Sequence, residues 1–146
     1  MPTLQDQDDL RGILDRLGRM TPAHHARWGT LDAHRMLCHL SDALAVALGE
    51  IPASRKDTLL TRTLAKWLVV NSPMKAPRGR VKTAPEMLTT PPSTWEQDLA
   101  RCRALARRVA SGEARSPHPA FGPMRPQEWG RLAWKHFDHH LTQFGE

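Results

Sequence analysis

Apolar residues recur at the spacing of an α-helix in the first third of the chain. Positions three and four apart share one helical face, so this repeat predicts helices with a buried side. A first helix is expected from about Asp6 to Gly18, and a second from Leu31 to Leu48 with Thr30 or Asp32 as its N-cap. The apolar residues of the second helix spread over a wide arc, which predicts contact with more than one neighbour. The inner stripe of the first helix consists of Leu10, Ile13, Leu14 and Leu17.

A proline-rich stretch interrupts this pattern in the middle of the chain. A shorter helical stretch is expected over 58–70, and a long loop is expected over 71–92. Five prolines and Gly79 in that loop disfavour regular structure. Loops of this length are commonly functional or mobile, so this one is a candidate for a role at a binding site.

Two further main helices are expected after the loop. Ser93 and Glu96 have the spacing of a capping box, which predicts a third helix that ends near 111–112. Pro126 suits the first turn of a last helix, because the N–H that proline lacks is not needed there. The chain shows neither a β-hairpin signal nor an internal repeat. The pattern therefore predicts an all-α fold with four main helices in a single domain over residues 1–146.

The composition is that of one ordinary globular domain. The chain has 146 residues, of which 40% are hydrophobic and 25% charged. Its longest apolar stretch, 43–48, is far shorter than the roughly 18 residues that a membrane span needs. The polar and acidic start is unlike a secretory signal, and the two cysteines, Cys38 and Cys102, do not make a disulfide framework. We therefore expect a cytoplasmic protein with no membrane association and free thiols.

The positive charge of the chain is concentrated in one region. Residues 55–82 carry eight basic side chains against one acidic residue, Asp57, so this region has a net charge of +7, the whole chain +6 and the remainder −1. One interpretation is a solvated face and loop; a second is a basic rim that attracts an anionic cosubstrate. Nucleic-acid binding is disfavoured, because Trp67 is the only aromatic residue among these charges. The basic residues are Arg55, Lys56, Arg62, Lys66, Lys75, Arg78, Arg80 and Lys82.

Three histidines in five residues lie near the end of the chain, within the last predicted helix. His136 can share a helical face with either His139 or His140, so spacing alone leaves the pair open. At roughly 100° per residue, His136 and His140 fall within the apolar face, His139 lies towards its edge, and Lys135 and Asp138 point to solvent. Neutral imidazole is a common ligand of zinc, nickel and iron, so His136 and His140 are a candidate metal pair.

A metal centre with catalytic function normally takes a third protein ligand. The candidates are His24, His25, His34, His39 and His118. His39 lies inside the apolar arc of the second helix whereas His34 lies outside it, so His39 is the best third ligand. The alternative interpretation is that all three are core histidines, hydrogen-bonded to neighbouring polar groups.

The segment His39-Leu40-Ser41-Asp42, followed late in the chain by His136-x-x-His139-His140-x-x-Gln143, resembles the DinB/YfiT-like superfamily of metalloenzymes. The resemblance covers most of the chain. Further motifs resemble one uncharacterised subgroup of that superfamily. They are Trp28-Gly29, Met36-Leu37-Cys38-His39, His118-Pro119-x-Phe121-Gly122, Glu128-Trp129 and Gln143-Phe144-Gly145.

The resemblance implies a four-helix bundle with a three-histidine site for a divalent ion. The positions that match the family's ligands are His39, His136 and His140, and the metal is expected to be zinc or nickel, with iron or manganese as alternatives. Members with an assigned activity are thiol-dependent transferases or isomerases, so a low-molecular-weight thiol is an expected cosubstrate.

The chain is therefore expected to be a metal-dependent enzyme that acts on a small molecule. Its catalytic candidates are Asp42, His118 and Gln143, and Asp42 could equally be an exposed helix carboxylate. The alternative is a non-catalytic protein of the same fold that binds a metal or a small ligand. A homodimer is a further expectation, since bundles of this size often pair through helix faces.

Overall fold

The computed structural model of the protein describes residues 1–75, 78 and 83–146. Within these residues the fold is all-helical, as the sequence predicts, and it contains no strand beyond an isolated bridge between His118 and Gly122. Four α-helices form most of the fold. They are α1 (Gln7–Arg19), α2 (Ala33–Ala47), α3 (Trp95–Ala110) and α4 (Pro126–Gln143).

The first two helices begin at aspartates whose side chains accept hydrogen bonds from the first turn. Asp6 accepts from the backbone N–H groups of Asp8 and Asp9 at the start of α1. Asp32 accepts from the N–H of Arg35 at 2.7 Å, so Asp32 is the N-cap of α2. Such caps satisfy N–H groups that have no partner within the helix.

The start of α3 differs from the predicted capping box. Thr94 is the N-cap and accepts from the N–H of Gln97, whereas the predicted cap, Ser93, binds the carboxylate of Asp98 through its N–H and hydroxyl. The prediction was wrong by one residue because the buried Asp98 offers Ser93 a stronger, charged acceptor. Pro126 occupies the first turn of α4, as predicted.

Helix α2 lies at the centre of the fold. It packs against α3 on one side and α4 on another, while α1 contacts α3 and α4. Thirteen of its fifteen residues are buried, so polar side chains on α2 lie inside the protein. A helix buried on nearly every side has little room for unpaired polar groups, and each of its polar residues needs a partner from a neighbouring element.

The region between α2 and α3 contains more structure than the predicted long loop. Two π-helical stretches, Thr61–Ala65 and Trp67–Asn71, occupy the predicted shorter helix, and a 3-10 turn, Pro85–Leu88, lies on α2. The loop prediction was wrong at this turn, because burial of Met87 against α2 offsets the cost of ordering a proline-rich segment. The second π-helical stretch contacts α4. Arg80 and Lys82 of the predicted basic region lie outside the described residues.

The π-helical stretches present an apolar outer face. Leu60, Leu64 and Trp67 are each more than half exposed, while Val70 is fully buried. None of the helices in the described part of the chain is both long and apolar enough to cross a membrane.

Candidate metal centre

Three histidines from two helices converge beside the core. His39 lies in the middle of α2, and His136 and His140 lie one turn apart on α4. One ring nitrogen of each comes within 4.8 Å of the others. His39 is only 3% exposed. The structure therefore brings together the three residues that the sequence selects, which we call the histidine triad.

The hydrogen bond of His39 determines which of its ring nitrogens faces the triad. Its Nδ1 lies 2.8 Å from the carbonyl oxygen of Met87 in the 3-10 turn. A carbonyl only accepts, so Nδ1 carries the proton and donates. The other nitrogen, Nε2, is then a lone-pair donor for a metal, and it lies 2.8 Å from Nε2 of His136.

Gln143 fixes the tautomer of His140 in the same way. Its Nε2 donates to the carbonyl of Trp28 at 2.6 Å, which leaves Oε1 as the acceptor for Nδ1–H of His140 at 2.7 Å. Gly29 makes this arrangement possible, since it has a positive φ of 82° and a Cβ there would lie 2.6 Å from the Gln143 amide nitrogen. Gln143 thus orients a candidate ligand without taking part in the triad.

Burial keeps the triad uncharged. It lowers the pKa of His39, lowers that of His136 well below 6.5, and lowers that of His140 to about 4. The neighbouring histidines lower the pKa values of His136 and His140 further, because two like charges at this distance would repel. All three rings are therefore neutral at pH 7, the protonation state that a metal ligand requires.

The donor set fits a divalent ion of the zinc type. In the described residues the group holds three histidines and no fourth protein ligand, the composition of an open centre rather than a closed structural one. Two nitrogens bound to one zinc ion stand roughly 3 to 3.4 Å apart. The 2.8 Å between the Nε2 atoms of His39 and His136 is slightly shorter, so those rings must part by a few tenths of an ångström to admit an ion.

A cavity of about 490 Å³ opens beside the triad. Its walls are mainly apolar side chains from α2, α4, the π-helical stretches and the 118–121 loop. The volume is within the range of sites for small molecules. Representative wall residues are Leu40, Leu44, Leu68, Met74, Phe121 and Leu132.

His118, one of the catalytic candidates in the sequence, forms part of the cavity wall. Its Nδ1 accepts from the N–H groups of Ala120 and Phe121 at 3.1 and 3.2 Å, so the neutral ring carries its proton on Nε2. The ring stacks on Phe121, and burial lowers its pKa to about 4. His118 is thus held as a hydrogen-bond donor rather than as a base.

Asp42 is fully buried, so the alternative of an exposed helix carboxylate is wrong. It makes no bond to a triad histidine. Its oxygens accept from the backbone N–H groups of Thr89 and Thr90 at 3.0 and 2.9 Å, directly after the turn that contains Met87. Asp42 therefore positions the triad through one intermediate, since it anchors the segment whose carbonyl holds His39.

Two residues predicted to face solvent on α4 are instead half-buried. The ammonium group of Lys135 donates to the carbonyls of Val69, Ser72 and Met74, at the end of the second π-helical stretch. Asp138 pairs with Arg16 of α1 at 2.8 Å. The helical-wheel prediction failed for these two because elements far away in the sequence cover their face of α4.

Part of the predicted basic region is neutralised within the protein. Arg55 and Arg62 both pair with Asp57, and Lys66 lies 2.9 Å from Glu128. The guanidinium group of Arg78 stacks over the ring of Trp28, 4.2 Å from its centroid. Asp57 is already counted in the net charge of +7, and the contact with Trp28 removes no charge, so Glu128 is the one carboxylate among these partners that offsets a further charge of the region.

His139 lies at the edge of the site, as its helical phase predicts. Its ring contacts Trp28 edge-on at 5.9 Å and does not belong to the triad. Sequence reasoning missed the carbonyls of Met87 and Trp28, because every residue has a carbonyl and no side-chain pattern marks the ones that accept from a ligand.

Comparison with known proteins identifies a family and no activity. The model of a family described as "Protein of unknown function (DUF1569)" matches residues 3–146, and the chain belongs to this family. Neither the curated proteins nor the solved structures gave a match. Membership of an uncharacterised family is thereby confirmed, and the wider likeness to the DinB/YfiT-like superfamily stays a prediction.

Proposed function

We propose that this protein is a metal-dependent enzyme with a DinB/YfiT-like four-helix-bundle fold. His39, His136 and His140 hold one divalent ion, and the adjoining cavity receives a small-molecule substrate. The observation that carries the proposal is the pair of fixed tautomers. The Nδ1 groups of His39 and His140 donate to Met87 and Gln143, so the free lone pair of each ring is on Nε2, and one ring nitrogen from each triad histidine lies within 4.8 Å of the others.

These outer hydrogen bonds favour a metal centre over a set of core histidines. Metal-binding histidines typically donate their second N–H to a carbonyl or another acceptor, which fixes the ring and strengthens the ligand. Without a metal, Nε2–H of His136 would donate to Nε2 of His39, but this bond gives no partner to Nε2 of His140, whose only hydrogen bond within the described residues runs through Nδ1. The triad has three nitrogens that approach one another, and the outer nitrogens of His39 and His140 already have their partners.

The ligand set also limits the metal and its chemistry. An all-imidazole set suits zinc or nickel, and it suits iron better than manganese, which prefers oxygen ligands. A divalent ion here would supply a Lewis acid that lowers the pKa of a bound water or thiol. The apolar wall excludes bulk water from the cavity, and the Nε2–H group of His118 is available to orient a polar group of the substrate.

The reaction class rests on the family resemblance. We propose a transferase or isomerase reaction in which a low-molecular-weight thiol is the cosubstrate. A neutral triad favours this cosubstrate, because a divalent ion held by three uncharged rings keeps its full charge and attracts a thiolate. A closed structural site is the less favoured alternative, since the described residues offer three ligands and not four.

Metal content and turnover test the proposal together. Protein purified without metal and then reconstituted with zinc, nickel, iron or manganese is expected to retain one ion per triad and to consume a thiol in a cosubstrate screen. His136→Ala/His140→Ala should lose that ion and the activity while circular dichroism stays helical. The matched control is His25→Ala, an exposed histidine outside the site. If the double variant bound as many ions per chain as wild type, the triad would be refuted as a site, and turnover by metal-free protein would refute metal dependence.

A further inference from the structure

A second group of metal-binding side chains lies on another face of α2. His34 and Cys38 are one turn apart on this helix, and Asp98 approaches them from α3. Nε2 of His34 is 2.7 Å from Oδ2 of Asp98, and Sγ of Cys38 is 3.7 Å from the same oxygen. One ligand atom from each residue lies within 4.8 Å of the other two. We call this group the thiol cluster.

Ser93 holds the carboxylate of this cluster in place. Its N–H donates to Oδ2 of Asp98 at 2.8 Å, and its hydroxyl donates to Oδ1 at 3.0 Å. Burial raises the pKa of Asp98, but the hydrogen bonds from Ser93 and His34 outweigh burial and leave the pKa below 3.8. The residue is only 7% exposed. A buried, ionised carboxylate is thus fixed between two helices and aimed at a thiol and an imidazole.

The simplest interpretation of the cluster is a hydrogen-bonded contact between α2 and α3. It accounts for His34 and Asp98, yet it leaves Cys38 as a weak donor at 3.7 Å. Imidazole nitrogen, thiolate sulfur and carboxylate oxygen are the three kinds of protein ligand that zinc accepts. In a tetrahedral zinc site such atoms stand roughly 3.4 to 3.6 Å apart. The sulfur–oxygen distance is already close to that value, and the imidazole–carboxylate pair must open slightly.

We propose that His34, Cys38 and Asp98 form a second divalent-metal site, specific for a thiophilic ion such as zinc. Binding exchanges the S–H bond of Cys38 for a sulfur–metal bond and releases that proton to solvent. Nε2 of His34, which donates to Asp98 in the metal-free protein, also gives up its proton to bind the ion, and the neutral ring then carries its one N–H proton on Nδ1. The site would cross-link α2 to α3. A cavity of about 400 Å³ reaches the cluster at Cys38, whereas neither His34 nor Asp98 lines it.

The thiol cluster has a sulfur ligand and the histidine triad has none, and this difference makes the proposal testable. Cobalt(II) bound to a thiolate has a charge-transfer absorption in the near ultraviolet, and cobalt(II) bound only by imidazole lacks it. Cobalt(II) titrated into metal-free wild-type protein is expected to bind at two ions per chain and to produce this absorption. Saturation at one ion without the absorption would overturn the proposal, and this measurement needs no variant.

The chain offers a matched pair of cysteines for the assignment. Cys38→Ser is expected to remove the thiolate absorption and one bound ion, whereas Cys102→Ser, which changes the other buried thiol, should retain both. His136→Ala/His140→Ala should also retain the absorption, because the triad contributes no sulfur. An absorption that persists in Cys38→Ser would refute the assignment. The histidine triad passes or fails its own metal test independently, since the two readouts are a histidine-only ion and a sulfur-bound ion.

Discussion

The histidine triad and the thiol cluster share helix α2. The adjacent residues Cys38 and His39 of this helix belong to different groups. They differ in how their polar atoms are satisfied. The outer nitrogens of His39 and His140 are paired, and their inner nitrogens face one another. In the thiol cluster the carboxylate of Asp98 already accepts from every other member and from Ser93. An ion at the triad would replace the hydrogen bond between His39 and His136, whereas an ion at the cluster would replace the hydrogen bonds of both His34 and Cys38 to Asp98.

The two groups also differ in the charge of their ligands. Three neutral imidazoles leave a bound divalent ion with its full double charge, next to an apolar cavity where that charge attracts an anionic partner. A thiolate and a carboxylate would neutralise the same ion completely. Under the two proposals, the triad would suit chemistry on an anionic ligand, and the cluster would suit a cross-link between helices. Four measurements would separate the two groups further.

Lowering the pH is expected to produce the largest loss of folding stability. The histidines in and beside the triad should be protonated before Asp98 is. A histidine whose pKa is lowered by folding binds its proton more readily in the unfolded chain, so stability is full above pH 6.5 and falls as the pH drops towards 4. His140 and His118, with pKa values of about 4, should each cost roughly 3 kcal/mol by pH 4. The lowered pKa of Asp98 acts in another window, since its contribution is lost only below 3.8.

Urea unfolding of the metal-free protein at pH 7, 6, 5 and 4 measures this effect. The free energy of unfolding should fall steeply between pH 6.5 and 4. His140→Gln should reduce the slope by only about a quarter, because the pKa values of His39, His136 and His118 are lowered as well. Asp98→Asn serves as the control, because it should lower stability at pH 7 without changing the slope in this window. A wild-type protein whose stability is constant from pH 7 to 4 would contradict the burial of neutral histidines.

Asp42→Ala is expected to have the next largest effect. The Asp42 carboxylate anchors Thr89 and Thr90, which directly follow the turn whose carbonyl binds His39. The substitution leaves the N–H groups of Thr89 and Thr90 without their acceptor, at a cost of roughly 2–4 kcal/mol. It should also weaken metal binding at the triad, since the Met87 carbonyl loses its anchor. Thermal melts and metal titrations check both effects. Asp42→Asn keeps one acceptor oxygen and should cost less; equal losses for the two variants would count against this role.

The sequence predicts the ligands of the triad on α4 much better than it predicts the partners of the polar residues on α2. On α4 the apolar residues mark one face clearly, so helical phase alone distinguishes His140 from His139. Helix α2 is buried on almost every side, so phase says little about which neighbour a polar residue meets. His34 falls outside the apolar arc, yet Asp98, 64 positions further along the chain, is its partner.

The same limit explains the other errors. The solvent-facing prediction for Lys135 failed because the carbonyls that it binds come from a π-helical stretch and the residues after it, more than sixty positions earlier. Asp42 is ambiguous in the sequence because its partners are backbone N–H groups in a proline-rich segment. Periodicity reports which face of a helix is buried, and the identity of the partner depends on contacts distant in sequence.

Gln143→Leu tests the outer hydrogen bonds that distinguish the triad. Loss of this acceptor frees the His140 ring to adopt the wrong tautomer, so metal affinity at the triad should fall roughly 10- to 100-fold. Competition with a fluorescent chelator measures the change. Gln143→Glu keeps an acceptor oxygen for His140 but places its second oxygen against the Trp28 carbonyl, so its affinity should lie between those of Gln143→Leu and wild type. If Gln143→Leu bound the ion as tightly as wild type, the hydrogen bond to His140 would have no part in the site.

His139→Ala should have the smallest effect, although this histidine is adjacent to His140. Its ring lies against the edge of Trp28 and contributes no nitrogen to the triad. A half-exposed side chain without a hydrogen-bond partner in the group should change stability by no more than about 0.5 kcal/mol. Metal affinity should change less than twofold in the same chelator competition. A tenfold loss would instead make His139 a fourth ligand, and the triad would then be closed like a structural site rather than open to a substrate.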